Sequence, residues 1–447
     1  MKRTTKVICL VLTFFIVVTL SGCSKNQNIV TIKYAAWNLD IKENNSVERQ
    51  MIDAFNKNHA NIKVEIDESF VKNYDAAINE AAKNKALPDI FMYASNPQAD
   101  TNGWCADITN IVSEDSEWEN IPKALKEAVQ IKGKVIAVPT SMYLDGYFYN
   151  EDLFIKQKVN LPSSNLSVNE FKTIVEKMTN INNGSIGLAD ESSIIDWYPA
   201  AVNKEFGWYT WDGGKFNLNS SEFKAGVNLA KTIYTSKQTY ANLSKQDKKK
   251  LQGNNDWEAW NAGTVALKFD GSWVSGDYSK LPFKVGFTGI PGSRTCIVPD
   301  FLIISKDSKH PKEAYEFAKY MSAYSLEGFT KRMEISQKDN TIVSSLPMVK
   351  DKKIINGYFS NIKIEGLKTE YNRIENDNYI EGVKILPGYA QARWNYITNI
   401  KIGNKDAKIG DILTNTYRGN LKIEDIAAQL NLNANESIQL FPRQSEN

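Results

Sequence analysis

The chain is short of histidine. Only His59 and His310 occur in 447 residues, each beside an expected helix boundary, so zinc sites and histidine-dependent triads find little support. Cysteine is scarce too: Cys9 and Cys23 lie in the first segment, while Cys105 and Cys296 show no spacing that implies a bridge and read as buried thiols. An excess of one charge is also missing. With 54 basic and 52 acidic residues the formal charge is +2, which points to neither a nucleic-acid partner nor a basic membrane-binding face. There is no G-x-S-x-G elbow, no H-E-x-x-H pair and no phosphate-binding G-x-x-x-x-G-K-[ST] loop. Gly207 to Phe216 (GWYTWDGGKF) comes nearest the last, with one residue too many between glycines and no Ser or Thr after the lysine. No metal and no cofactor are expected. After residue 20 no second long apolar run, internal repeat or low-complexity block is found.

What is abundant is aromatic. Ten Trp, 20 Tyr and 19 Phe exceed what packing requires, so some of them are expected to face a ligand. The chain is also too long for one compact core, and two or more lobes are expected. At the N-terminus, Lys2, Arg3 and Lys6 precede an uncharged run, Val7 to Leu20. Its 14 residues fall short of the roughly 20 that span a bilayer, so residues 1–22 read as a signal peptide. The end of that run, Leu20-Ser21-Gly22-Cys23, resembles a bacterial lipobox, in which Cys23 is lipidated and becomes the first mature residue. The alternative is an ordinary signal peptide with a chance cysteine. Residues 23–28 are polar and suit a tether to the outer face of a bacterial cell membrane.

Ile29 to Trp37 alternates as a strand, Ser46 caps a helix carrying Val47, Met51 and Phe55, and Ile62, Val64 and Ile66 alternate again. A helix is expected over Asn73 to Ala86, then a continuous apolar strand at Asp89 to Tyr93. This order is an α/β unit, whose ligands bind at the carboxyl ends of the strands: here Trp37-Asn38 and Ser95-Asn96. Val135 to Pro139 reads as a strand, Tyr143 to Tyr149 has aromatics at alternate positions, and Ser167 with Glu170 forms a capping box. Trp208 to Lys215 reads as a glycine-turn hairpin. Val285 to Ile290 and Cys296 to Ile304 read as strands about Pro291-Gly292, Pro311 starts a helix, and the pattern beyond Asp351 is mostly helical.

Several phrases together resemble the extracellular sugar-binding proteins of ABC transporters, the broad solute-binding family that includes maltose-binding protein. They are ALPDIFMY (Ala86 to Tyr93), KGKVIAVP (Lys132 to Pro139) followed by YFYNEDLF (Tyr147 to Phe154), LPSSNLSVNEF (Leu161 to Phe171), WNAGTVALKFDGSW (Trp260 to Trp273) and HPKEAYEFAKYM (His310 to Met321). The resemblance implies an α/β, two-lobe periplasmic-binding-protein-like fold of type II, a sheet flanked by helices in each lobe and a hinge between. The crossings would lie near Ser141 to Gly146, Asp300 to Ile304 and Leu346. The lobes would be residues 29–140 plus 302–345 and residues 146–300 plus 350–440. It also implies a monomer that binds a carbohydrate and docks on the transmembrane subunits of a permease, without enzymatic activity.

A sugar ring offers a face of C–H bonds and an edge of hydroxyls, so flat aromatics and polar edge readers are the groups to look for. Trp273 matches the family position for a stacking aromatic, and Asp270 before Gly271 either reads hydroxyls or makes an Asx-turn. Trp37, Asn38, Ser95 and Asn96 end two strands, where the alternative for the polar three is capping. Tyr143 and Asp145 fall in the first crossing, Trp197 and Tyr198 where the family supplies aromatics, and Arg393 and Trp394 on a late segment that closes the cleft. Trp260 reads as core. The rival class is a secreted glycoside hydrolase, which needs two carboxylates at a defined separation; Asp145 and Asp270 are the nameable pair, and no motif joins them. A lipoprotein that presents its ligand to a sensor is a third reading.

Overall fold

A computed structural model describes residues 29–439, so the signal-peptide, Cys23 and tether assignments lie outside the described residues. Nine strands share one sheet: β1 (Val30–Ala35), β2 (Ile62–Ile66), β3 (Ile90–Met92), β4 (Val138–Asn150), β5 (Ile186–Leu188), β6 (Val265–Gly271), β7 (Val285–Gly289), β8 (Thr295–Ile304) and β9 (Asn378–Ile380). The spatial order is β2-β1-β3-β8-β4-β6-β5, with β9 paired to β8 and β7 to β4. At one end β1, β2 and β3 are parallel, as the alternation of strand and helix dictates. At the other end β5 and β6 are parallel as well.

Between these ends, β4 and β8 run antiparallel from Cys296 opposite Asp145 to Leu302 opposite Val138. Beyond Asp145 the same long strand β4 continues between β6 and β7. The third segment of interest touches here too: Leu346 donates its backbone N–H to Met142 O at 2.8 Å, and Ser345 Oγ accepts from Met142 N at 3.1 Å. Two apolar clusters flank the sheet. One centres on Ile32, Phe55, Phe91, Ile303 and Phe317, the other on Tyr147, Phe171, Trp197, Val227 and Leu413. Among the described residues no helix is long and apolar enough to cross a membrane.

Local signals were read well where they are short-range. The Ser167–Glu170 capping box is formed, with both reciprocal bonds, at the start of the helix Val168–Lys177. One expectation fails. Trp208 to Lys215 is not a hairpin: Trp208–Thr210 is a single 3₁₀ turn in which Tyr209 and Thr210 take φ of 50° and 66°, because both aromatics are drawn into the core. The region after Asp351 is mostly helical, as expected, and in addition supplies β9 to the sheet and forms a hairpin from Ile397–Ile402 and Lys405–Lys408.

Gly146 marks where β4 is squeezed. A Cβ there would sit 2.6 Å from Thr288 O and 3.0 Å from Gly289 Cα, both backbone atoms that cannot rotate away. Gly146→Ala is therefore expected to destabilise the chain by about 2 kcal/mol, read from the urea midpoint.

Candidate functional site

The pleat of the β4–β8 pair builds the floor of the site. Directly opposed residues on adjacent strands point to the same face, so Ser141, Tyr143 and Asp145 of β4 share a face with Asp300, Val298 and Cys296 of β8. Met142, Leu144 and Ile297 take the other face and enter the core. A register shift between Asp300 and Phe301 ends the alternation, and Thr140 Oγ1 donates to Asp300 O across it at 3.2 Å.

Three of the candidate tryptophans are exposed or half-buried. Trp273 is 42% exposed and meets Tyr143 edge-on at 5.7 Å. Its indole lies directly over Gly271, where a Cβ would come within 1.9 Å of the ring; only glycine lets it rest there. Trp394 is 40% exposed and meets Tyr389 edge-on at 5.1 Å. Trp37 is half-buried, held edge-on by Tyr74 at 5.7 Å, with Lys384 Nζ over its ring at 4.7 Å. Asn38 is exposed beside it and lines a cavity of about 30 Å³ with Tyr143, Ser141 and Ser344. A second cavity, about 250 Å³, lies between Asp75, Tyr93, Ser95 and Gln98 on one side and Val383 and Tyr389 on the other.

The remaining candidates are placed differently. Trp197 is a correction: it is fully buried, donates its Nε1–H to Tyr147 OH at 3.0 Å and packs edge-on against Phe171, leaving no face for a ligand. Tyr198, one residue on, turns toward Gly226 of the helix Ser221–Thr235 and away from the floor. Arg393 is also a correction as a direct reader, because it is buried and spent on Asp196, to which it donates from Nε at 2.7 Å and Nη2 at 3.1 Å. Tyr389 OH donates to the same carboxylate and accepts from Trp208 Nε1 at 2.8 Å, so Arg393 acts by holding the segment that carries Trp394. Asp270 is half-buried and engaged by Tyr278 OH at 2.9 Å and by Gly271 N, which is the turn-making role. Ser95 Oγ caps the short helix Asn96–Thr101. Asn96 is wholly buried with both amide atoms unpartnered. Trp260 is buried in the core.

Two carboxyls lie under the floor without a counter-charge. Asp145 is 4% exposed, its Oδ1 has no partner, and burial, then Glu381, Asp270 and Asp196, push its proton affinity far above the usual carboxylate range. Glu381 accepts the Val383 N–H with both oxygens at 3.0 Å, and burial raises it to about 7. Asp300 differs, because Lys384 Nζ donates to its Oδ1 at 2.7 Å. Glu381, Lys384 and Tyr389 were missed in the sequence. The segment EGVKILPGY carries no local motif, and only the pairing of β9 with β8, opposite residues about 80 positions away, brings it to the floor.

A sheet divided between two parallel ends, joined by long crossing strands and carrying exposed aromatics over a polar floor, is the architecture of a two-lobed binding protein rather than of a single-core domain. Residues 50–345 match the family described as bacterial extracellular solute-binding protein, and the chain belongs to that family. A curated relative, an ABC transporter extracellular-binding protein of Pyrococcus horikoshii, is 24% identical over 311 residues, 67% of this chain and 70% of that protein. Among solved structures, the fold is similar to an ABC substrate-binding protein of Listeria monocytogenes in complex with cycloalternan (TM-score 0.71, 19% identity, 92% of this chain and 99% of that one). It is similar also to the cyclic α-maltosyl-1,6-maltose binding protein of Arthrobacter globiformis (TM-score 0.65, 16% identity, 92% and 100%). A third, the GacH receptor of Streptomyces glaucescens, solved unliganded and with acarbose, has a TM-score of 0.62 at 16% identity, covering 94% and 100%. The chain thus has the two-lobed α/β fold of periplasmic binding proteins.

The placements separate packing from presentation. Trp197→Ala is expected to cost about 3–5 kcal/mol in urea unfolding, whereas Trp273→Ala is expected to cost less than about 1 kcal/mol. A further expectation concerns pH. Glu381 holds its proton in the folded chain up to about pH 7, while its unfolded counterpart loses it near 4.5. Its contribution to stability is therefore full below the unfolded value and lost as pH rises toward 7. Glu381→Gln, which keeps an acceptor for Val383, is expected to remove up to about 3 kcal/mol of that decline, measured as urea midpoints at pH 4.5 and 7.5.

Proposed function

We propose that this protein captures an oligosaccharide outside the cell, closes on it and delivers it to the transmembrane subunits of an ABC importer. The observation that carries the reading is the exposed indole of Trp273, packed edge-on against Tyr143 of a floor that also presents the partly exposed Ser141 and Asp300. Indole faces match the C–H faces of sugar rings, and the floor supplies acceptors and donors for hydroxyls. The sugar ligands of the three structural neighbours support the same class. In this reading the lobes are residues 29–140 plus 302–345 and residues 146–300 plus 350–440, and they close about the β4–β8 pair. Tight capture requires a ligand that favours the closed, sugar-filled state over the sugar-free one, which aromatics and polar edges presented from different elements provide.

The protein acts as a monomer, tethered to the outer face of the cell membrane through lipid on Cys23, after removal of residues 1–22 as a signal peptide. It catalyses no reaction. Hydrolysis of a glycoside needs two accessible carboxyls, and the pair named for it is poorly placed: Asp270 is engaged by Tyr278, and Asp145 is almost wholly covered.

Calorimetry of the purified mature chain against maltotetraose, cycloalternan and monosaccharides tests the class. Saturable binding to an oligosaccharide is expected without turnover; binding to peptides or metals in place of any carbohydrate would sink the reading. Trp273→Ala is expected to weaken binding by about 1 kcal/mol or more while the melting curve stays intact.

A further inference from the structure

Trp37, at the end of β1, has a ring face that is already occupied. Lys384 Nζ lies over its ring at 4.7 Å and donates to Asp300 Oδ1 at 2.7 Å. The pair is largely shielded, with 15% and 13% of the Lys384 and Asp300 side chains exposed. Lys384 sits on the short helix Gly382–Ile385, which follows β9 and touches both β8 and the helix Asn96–Thr101. A cation thus ties the late segment to the crossing strand and to the end of β1 at a single point.

We propose that Lys384 is a displaceable latch: it holds the cleft closed by occupying the Trp37 face and the Asp300 carboxylate, which a sugar ring with two adjacent hydroxyls takes over on binding. The inference rests on the oligosaccharide reading above. An ammonium and a sugar ring suit the same place. Each lies against an indole face, and each donates to a carboxylate, the ring through its two hydroxyls. Asp300 is too well covered to be left alone. A ring without such hydroxyls would strand it as a buried charge, so displacement selects for hydroxyl donors at this subsite. The latch also opposes binding, because the ligand must first break a shielded ion pair and a cation–aromatic contact.

The test uses Lys384→Met, which keeps the stem on Trp37 and removes the charge, with Lys384→Gln as a second variant should the first fold poorly, and Asp300→Asn. Maltotetraose and cycloalternan are titrated by calorimetry, and the sugar-free chains are compared by small-angle X-ray scattering. Both Lys384 variants are expected to bind about fivefold tighter or more and to show a larger sugar-free radius of gyration than the wild type. Asp300→Asn is expected to expand likewise but to gain no affinity, since the acceptor is lost with the latch. Weaker binding by the Lys384 variants would make Lys384 a direct sugar contact and overturn the proposal, as would unchanged affinity with unchanged scattering. If the wild type binds no carbohydrate, the oligosaccharide reading fails by itself. Expansion of Lys384→Met would then still support the latch, and its absence would overturn it.

Discussion

The antiparallel pairing of β4 with β8 is the constraint on which everything else in the molecule hangs. Thirteen residues of β4 run unbroken from Val138 to Asn150, and in that length the strand changes company, from β8 to a place between β6 and β7. A strand this long has no freedom to choose which residues face the site. The pleat alternates them, and a slip of one residue would send Met142 and Leu144 to the surface and Asp145 into the apolar core. Burial of the opposite face therefore fixes the polar floor. The break in register at Asp300 lets the strand pair end its alternation while Asp300 still faces the floor.

The electrostatics of the floor follow from that geometry. Four carboxyls converge here, and the structure treats them in two ways. Asp196 and Asp300 are ion-paired with Arg393 and Lys384, whereas Asp145 and Glu381 form no ion pair, Glu381 accepting only the Val383 N–H. Burial, with Glu381, Asp270 and Asp196 nearby, pushes Asp145 toward its neutral form. A protonated carboxyl is a donor as well as an acceptor, and a floor holding both protonated and ionised forms can address either side of a hydroxyl. Neutrality also matters for closure, because a cleft with two naked charges would resist the loss of water that closing demands.

How far the sequence disclosed this depends on the range of the signal. The first strands, the capping box and the helix opened by Pro311 are set by neighbours a few residues apart and are legible. The exposure of Trp273 was legible too, because turn residues surround it. Trp197 was not. On a helix, a residue faces the core or the cleft according to a rotation of about 100° per position, and at Ile194–Val202 nearly every side chain is apolar enough for either. The hairpin expected at Trp208 was overruled by burial of Trp208 and Tyr209. The late segment was the real blind spot. Glu381 and Lys384 acquire their roles only when β9 pairs with β8, and no local pattern encodes a parallel pairing at that distance.

That blind spot has a physical sense in a binding protein. Residues on the β4–β8 pair are held by a ladder of backbone bonds and can offer little more than a fixed floor, whatever the ligand. Other side chains reach the floor from outside the ladder, and the segment from Asn378 to Asn395 brings Glu381 and Lys384 to it. It is anchored at one end by β9 and at the other by the buried Arg393–Asp196 pair. Between those anchors it touches the first α/β unit through the short helix Gly382–Ile385 and the Lys384 ammonium on Trp37. An element fixed at its ends and lightly held in the middle can change what it presents without disturbing the sheet.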